Sequence, residues 1–76
     1  MIKVKAFGKI TEILENENLE FSGISDTVEL KEFLEQSYPE LKNLTYQIAV
    51  NRQIALDNTR LEEHSEVALL PPFSGG

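Results

Sequence analysis

The last eight residues, "LLPPFSGG", carry the group in this sequence with the clearest capacity for chemistry. Glycine has no Cβ atom, so a Gly75-Gly76 end is slim enough to enter a narrow channel in another protein. Pro71 and Pro72 restrict φ, which keeps the preceding backbone extended and makes the tip project. The reactive group of such a tail is the carboxylate of Gly76, which becomes an acyl donor when another enzyme activates it, for instance as an acyl-adenylate.

The composition offers this chain little other chemistry. Its 76 residues include no cysteine, which removes disulfides, thiolate nucleophiles and thiolate metal sites. The single histidine, His64, has no histidine partner for a metal site and is expected to lie solvated in a turn, as are Glu62, Glu63 and Glu66. A chain this short also lacks room for a deep cofactor cleft beside a core. We therefore expect no bound metal and no bound cofactor.

The charge and hydropathy of the chain limit the classes of partner and the cellular locations that can be expected for it. A net charge of −6 repels phosphate backbones, so nucleic acid is not expected as a partner. The same charge attracts basic protein surfaces, or serves only to keep a small domain in solution. No apolar run approaches the length of a membrane span, and "MIKVKAFG" lacks the continuous apolar stretch of a signal peptide. We expect a cytoplasmic protein with no membrane association.

The elements that must position the tail can be predicted from the spacing of apolar residues. "IKVKAFG", residues 2–8, alternates and predicts a half-buried strand with Ile2, Val4 and Ala6 facing inward and Phe7 outward. "KITEILENEN" has apolar residues at helical spacing and predicts a short helical turn. "LEFSGI" alternates again and predicts a short second strand.

The main helix is predicted within "GISDTVELKEFLEQSYPELK". We expect it to begin at Asp26 or Thr27, because Glu29 stands three residues after Asp26, the spacing of a capping box. Pro39 disfavours helical backbone in the residue before it, so the helix is expected to end near Tyr38. The predicted inner stripe of this helix comprises Leu30, Phe33, Leu34, Ser37 and Tyr38.

The second half of the chain predicts three more strands. "YQIAVN" has Ile48 and Val50 facing inward, "NRQ" is a turn, and "IAL" starts back as the hairpin partner. "EVALL" is the last strand, which the prolines end because proline cannot donate to a ladder. One main helix across one face of a mixed sheet buries both apolar stripes. We expect an α+β domain over residues 1–70 and an extended, flexible tail over residues 71–76.

The residues that face away from the helix predict a docking patch. If the predicted strands are neighbours, their outward side chains form one apolar surface next to the point where the tail leaves. An exposed surface of that kind usually marks a partner site. The alternative is that Phe7 packs beneath the "KITEIL" turn and the tail covers Leu70. The predicted patch comprises Phe7, Ala49, Ala68 and Leu70.

The order of an apolar strand, Pro-Pro and Gly-Gly in "EVALLPPFSGG" resembles the C-terminus of the MoaD family, the small subunits of molybdopterin synthase. "MIKVKAFGKITEIL" resembles the family's first strand and short helix, "TVELKEFLEQSYPEL" its main helix and "IAVNRQIA" its hairpin. One departure is His64-Ser65, which stands where the family often has a Gly-Asp turn. The resemblance implies a ubiquitin-like β-grasp of about five strands, with the first and last strands parallel at the centre.

The resemblance also implies a function as a sulfur carrier. A ubiquitin-activating-type, MoeB-like enzyme would use ATP to adenylate Gly76, and sulfur would then replace AMP to give a thiocarboxylate. The tail would enter a large, MoaE-like subunit within a heterotetramer and deliver sulfur to cyclic pyranopterin monophosphate, building molybdopterin. The catalytic groups would belong to these partners, and this chain would not itself be an enzyme. The inserting residues would be Pro71, Pro72, Phe73, Ser74 and Gly75.

Other functions remain open at this point. A ThiS-like carrier for thiamine thiazole or for cysteine synthesis would use the same tail, although ThiS lacks the Pro-Pro pair. A ubiquitin-like protein modifier would join Gly76 to a lysine of a target. An acyl carrier protein suits the length and acidity, but no serine here has the required Asp-Ser-Leu setting and the strand pattern contradicts an all-helical chain. A plain interaction module would need no chemistry at Gly76.

Overall fold

The fold is described for residues 1–71 by a computed structural model. All five predicted strands and both predicted α-helices are present, but the short helix and the second strand end three or four residues before their predicted stretches do, and the 3₁₀ helix was not predicted. In chain order the elements are β1 (Ile2–Ala6), α1 (Lys9–Leu14), β2 (Asn18–Phe21), α2 (Thr27–Ser37), a 3₁₀ helix (Pro39–Asn43), β3 (Gln47–Val50), β4 (Gln53–Ile54) and β5 (Glu66–Leu70).

The five strands form one mixed sheet in the order β2-β1-β5-β3-β4. β1 and β5 pair in parallel at the centre, whereas β2 pairs antiparallel with β1, and β3 pairs antiparallel with both β5 and β4. The first and last strands are therefore direct neighbours although almost the whole chain separates them. This is the ubiquitin-like β-grasp topology, and the predicted fold class is confirmed.

The core lies between one face of the sheet and α2. The alternate residues of β1 and β5 that were predicted to face inward are buried there with Leu30 and Leu34 of α2. α1 and the 3₁₀ helix add their own buried side chains to the same cluster and close its ends, through Ile10, Leu14 and Leu41. The opposite face of the sheet is left for other contacts. Among residues 1–71 no helix has the length and apolar character needed to cross a membrane.

The start of α2 follows the predicted capping pattern with one difference. The Asp26 side chain accepts a hydrogen bond from the Glu29 backbone N–H at 2.8 Å, as an N-cap does. The Glu29 carboxylate accepts from the backbone N–H of Ser25 at 2.7 Å, one residue before the cap, rather than from Asp26. The helix ends at Ser37, and the residue before Pro39 is already non-helical. Both predicted helix boundaries are therefore confirmed.

The predicted inner stripe of α2 is partly wrong. Leu30 and Leu34 are buried and Tyr38 is half-buried, but Phe33 and Ser37 are exposed. Successive helical residues are rotated by about 100°, so Phe33 lies at the flank of the stripe that Leu30 and Leu34 define. There its ring packs edge-on against Phe21 of β2, with the two ring centroids 5.2 Å apart.

Thr27 takes a buried place in the first turn of α2 that the apolar pattern did not predict. Its hydroxyl accepts from the Thr59 backbone N–H at 2.9 Å and donates to the Asn58 side-chain oxygen at 3.3 Å. The Asn58 oxygen also accepts from the Val28 backbone N–H at 3.0 Å. These bonds hold the loop before β5 against the start of α2.

Two short turns set the register of the sheet's second half. Asn51 and Arg52 both have positive φ, 48° and 71°, which is the two-residue hairpin turn that matches strand twist. The Asn51 side chain also accepts from the Glu66 backbone N–H at 3.0 Å, which ties this hairpin to β5. In the turn before β5, the Ser65 hydroxyl accepts from the Glu62 backbone N–H at 2.8 Å. Serine therefore closes this turn without a glycine, and His64 lies exposed in it, as expected.

Candidate functional site

The tail leaves the domain from the central strand of the sheet. β5 ends at Leu70, which lies opposite Gln47 of β3, and Pro71 follows half-buried. The remaining predicted tail residues lie outside the described part of the chain. Their assigned roles, insertion into a partner and activation at the C-terminus, therefore stay predictions. These residues are Pro72, Phe73, Ser74, Gly75 and Gly76.

The root of the tail lies against Gly8, the residue between β1 and α1. A Cβ atom built on Gly8 would stand 3.1 Å from Pro71 Cγ and 3.6 Å from Pro71 Cβ. Gly8 has φ 58° and ψ −133°, a backbone conformation that residues with a side chain rarely adopt. Gly8 was not among the predicted site residues. The sequence signal that could have identified it is a glycine placed between an alternating strand pattern and a stretch with helical spacing.

The face of the sheet opposite the core is hereafter called the open face. One row across it runs through Lys5 of β1, Ala68 of β5, Ala49 of β3 and Ile54 of β4, because these residues pair directly in register. Leu70 lies one row nearer the tail. The open face therefore combines an apolar half on β5, β3 and β4 with a cationic side chain on β1.

The members of the predicted docking patch differ in exposure. Phe7 is exposed, and Ala68 and Leu70 are half-buried. Ala49 retains only 6% of its exposure and so offers a partner almost no area, contrary to expectation. The reason is its small side chain, which lies between those of Ala68 and Ile54 on the neighbouring strands. The docking role of the other three residues stays a prediction.

Ile54 supplies the exposed area that Ala49 does not. It lies beside Ala49 on the open face and is 43% exposed. The sequence prediction assigned "IAL" to a returning strand without assigning its faces. A two-residue turn at Asn51 and Arg52 places Val50 opposite Gln53 and hence Ala49 opposite Ile54. The length of the turn is therefore the sequence signal that could have placed Ile54 on the open face.

The two lysines of β1 have different electrostatic surroundings on the open face. Lys3 lies between two carboxylates, with Glu20 opposite it on β2 and Glu66 opposite it on β5. Lys5 lies between Asn18 and Ala68, which are both uncharged. Cross-strand neighbours are close enough for opposite charges to offset one another. The positive charge next to the apolar half of the open face is therefore that of Lys5.

A hollow of about 310 Å³ lies between α2 and the β3–β4 hairpin. Tyr46 lines it and donates a hydrogen bond from its hydroxyl to the Glu35 carboxylate at 2.9 Å. Burial raises the pKa of Tyr46 far above its usual value, and the hydrogen bond to Glu35 and its negative charge act in the same direction. This phenol stays protonated at any physiological pH and serves as a structural donor. Within residues 1–71 no three acidic or histidine side chains are grouped to hold a metal ion.

Comparison with known proteins connects this geometry to a family. The family model described as the ThiS family matches residues 4–76, almost the whole chain. The chain belongs to the ThiS family. The molybdopterin synthase sulfur carrier subunit of Caenorhabditis briggsae is 32% identical to this ThiS-family chain over an alignment of 81 positions, which covers 99% of the chain and 96% of that relative. The MoaD/ThiS membership expected from the motifs is confirmed.

Solved structures of similar shape agree with the ThiS-family fold. The small archaeal modifier protein 1 of Methanosarcina acetivorans superposes with a TM-score of 0.81 at 26% identity, covering 99% of this chain and 95% of that one. A putative molybdopterin converting factor, subunit 1, from Pyrococcus furiosus gives a TM-score of 0.79 at 20% identity, covering 95% and 97%. At these identities the likeness establishes a shared fold and leaves the function to be argued separately.

Proposed function

We propose that this chain is a sulfur carrier that acts in molybdopterin synthesis and holds sulfur as a thiocarboxylate on Gly76. The observation that carries the proposal is the end-to-end similarity to a molybdopterin synthase sulfur carrier subunit, 32% identical over 99% of the chain. The Pro-Pro and Gly-Gly pairs that follow the central strand support it. The chain acts in the cytoplasm, where ATP is available for the activation step.

The chemistry of loading requires only a free carboxylate from this chain. The Gly76 carboxylate attacks the α-phosphorus of ATP on the activating enzyme, and pyrophosphate leaves. A hydrosulfide nucleophile then attacks the acyl carbon, AMP leaves, and a C–S bond replaces the C–O bond, which gives the thiocarboxylate. The AMP and the sulfur are attached to the chain covalently and transiently, and they are not resident cofactors. Proximity and orientation in the partner's active site account for the rate.

The open face is proposed as the surface that docks on both partners, the adenylating MoeB-like enzyme and the large MoaE-like subunit. It lies beside the tail root, so a partner that covers it also receives the tail. The candidate anchors are its larger apolar side chains, the exposed Ile54 and Phe7 and the half-buried Leu70. The catalytic groups belong to the large subunit, and two copies of each subunit form the heterotetramer.

Replacing Ile54 by aspartate is expected to weaken binding to the large subunit by about 30-fold, because an unpaired charge is then buried in an apolar contact. Phe33→Asp is the matched control, since Phe33 is 42% exposed against 43% for Ile54 but lies on α2 beside β2, at the opposite edge of the sheet from β4. Isothermal titration calorimetry on the purified subunits measures both dissociation constants. Equal weakening by the two substitutions, or none by Ile54→Asp, would contradict docking through the open face.

The proposed function is tested by the intact mass of the protein after incubation with ATP, a sulfide source and the activating enzyme of the same organism. The expected result is a mass gain equal to the exchange of one oxygen for sulfur, mapped to Gly76 and absent without ATP. The loaded chain is then mixed with the large subunit and the pterin precursor, and loss of the added sulfur is followed. No change with a competent enzyme would overturn the carrier function. Discharge to a thiazole or cysteine precursor instead would identify another branch of carriers.

A protein modifier is the second candidate, favoured by the 26% identity and the TM-score of 0.81 to a small archaeal modifier protein. In that case the activated carbonyl of Gly76 forms an isopeptide bond with a lysine amine, and AMP or a thiol leaves. The same incubation separates the candidates when cell extract is added. A conjugate that contains a Gly76-lysine linkage supports the modifier, whereas free thiocarboxylate that discharges to the pterin supports the carrier.

A further inference from the structure

The contact between Gly8 and Pro71 connects the start of α1 to the root of the tail. Pro71 Cγ would lie 3.1 Å from a Cβ atom on Gly8, a separation tighter than nine in ten real Cβ contacts. A side chain at position 8 would therefore push the proline ring away by a few tenths of an ångström. The two residues are distant in sequence, and the parallel pairing of β1 and β5 brings them together.

The backbone at Gly8 is not free to adjust to a side chain. Its φ of 58° and ψ of −133° belong to a region that glycine enters without strain and L residues do not. The carbonyl of Phe7 accepts from the Ile10 N–H at 3.2 Å, and the carbonyl of Gly8 accepts from the Thr11 N–H at 3.1 Å. Ile10 and Leu14 anchor α1 in the core. A change at Gly8 must therefore be absorbed at Pro71.

We propose that Gly8 is a positioning residue that sets the direction in which the tail leaves the sheet. Because Gly8 has no Cβ atom, the Pro71 ring packs against the first turn of α1. This contact orients the chain at the point where the tail begins. The proposal rests on the proposed function, because the direction matters only if Gly76 must reach a partner's active site.

The reach of the tail explains why a small error at its root has a large effect. Five residues beyond Pro71 span at most about 17 Å when extended. A change of exit direction by about 10° displaces the end of such a segment by roughly 3 Å. Reacting groups misplaced by about 1 Å can already cost 10²-fold in rate. The docked complex would still form, because the open face is unchanged.

The experiment compares three chains made by chemical synthesis or expression: Gly8→Ala, Gly8→D-Ala, and Gly8→Ala combined with Pro71→Ala. L-alanine introduces both the backbone strain and the contact with the proline ring. D-alanine favours positive φ and places its methyl where the other α-hydrogen was, away from Pro71. The double substitution removes the Cγ atom at 3.1 Å and keeps the strain. Thiocarboxylate formation by the activating enzyme gives kcat and KM for each chain, and urea unfolding gives its stability.

Gly8→Ala is expected to lower kcat by about tenfold or more while KM changes less than threefold. Gly8→D-Ala is expected to restore kcat, whereas the double substitution is expected to stay low, because it also removes the proline ring whose contact orients the tail. Normal kcat in Gly8→Ala overturns the positioning role. A loss of kcat that tracks the unfolding midpoint across the three chains assigns Gly8 a purely structural role and also overturns the proposal. Failure of the wild-type chain to form thiocarboxylate overturns the proposed function itself, a result distinct from either.

Discussion

Deletion of Gly76 is expected to lower the rate of thiocarboxylate formation and sulfur transfer by about 100-fold or more. The shortened chain still ends in a glycine carboxylate, now on Gly75, so the chemical group is unchanged. Its reach is shorter by about 3.5 Å, the span of one extended residue. A partner site built for the full tail then holds the carboxylate too far from the reacting phosphorus or pterin carbon.

Single-turnover mass spectrometry measures this loss in the activating enzyme and in the large subunit separately. Gly76→Ala is the companion variant, because it keeps the reach and adds a Cβ atom at the tip. Urea unfolding and calorimetric binding of the deleted chain serve as controls, and both are expected to match the wild type, since the core and the open face lie within residues 1–71. A chain that ends at Gly75 and transfers sulfur at a near wild-type rate would contradict a reactive role for Gly76.

Replacing Leu30 by alanine is expected to lower the free energy of unfolding by about 3 kcal/mol. Leu30 is fully buried where α2 crosses the sheet, and truncation leaves a cavity among side chains from β1, β5 and the 3₁₀ helix. A domain of this size has a total stability of about 4–11 kcal/mol. The variant is therefore expected to keep about 1–8 kcal/mol of stability, so it stays largely folded but unfolds at a lower urea concentration.

Urea unfolding followed by circular dichroism measures the change in unfolding free energy, with Leu56→Ala as the control. Both substitutions remove the same atoms, but Leu56 is 87% exposed in the loop after β4. Its replacement is expected to change stability by less than about 0.5 kcal/mol. Similar losses for the two variants would mean that α2 does not form the core as described here.

The parts of the fold that the sequence predicted depend on local physics. Strict alternation fixes which strand residues share a face, so Val4 and Val67 could be assigned to the core without knowing their neighbours. The start of α2 was predictable because Asp26 satisfies the backbone N–H three residues later. The order of strands came from the family resemblance rather than from the spacing. That resemblance rested on a rare order of motifs at the C-terminus.

The parts that the sequence did not predict depend on contacts between strands or between distant residues. Ala49 faces the open side as its alternation requires, yet its burial is decided by Ala68 and Ile54 on either side. Phe33 fits the helical stripe but packs on Phe21 at its flank. The contact between Gly8 and Pro71 exists only once β1 and β5 are paired. No spacing rule within a single segment contains that information.

β5 is translated after every other strand of the sheet and yet takes its central place, between β1 and β3. A nascent chain can form the β1–β2 and β3–β4 pairs early, but no strand joins the two pairs into one sheet until β5 emerges from the ribosome. Until then β1 and β3 each present an unpaired edge, the feature from which strand-mediated aggregation begins. Folding thus awaits a long-range pairing and is slow for a domain of this size. The strand that leads into the reactive tail is also the strand whose insertion completes the fold. A chain that has not folded therefore cannot present a correctly oriented tail to the activating enzyme.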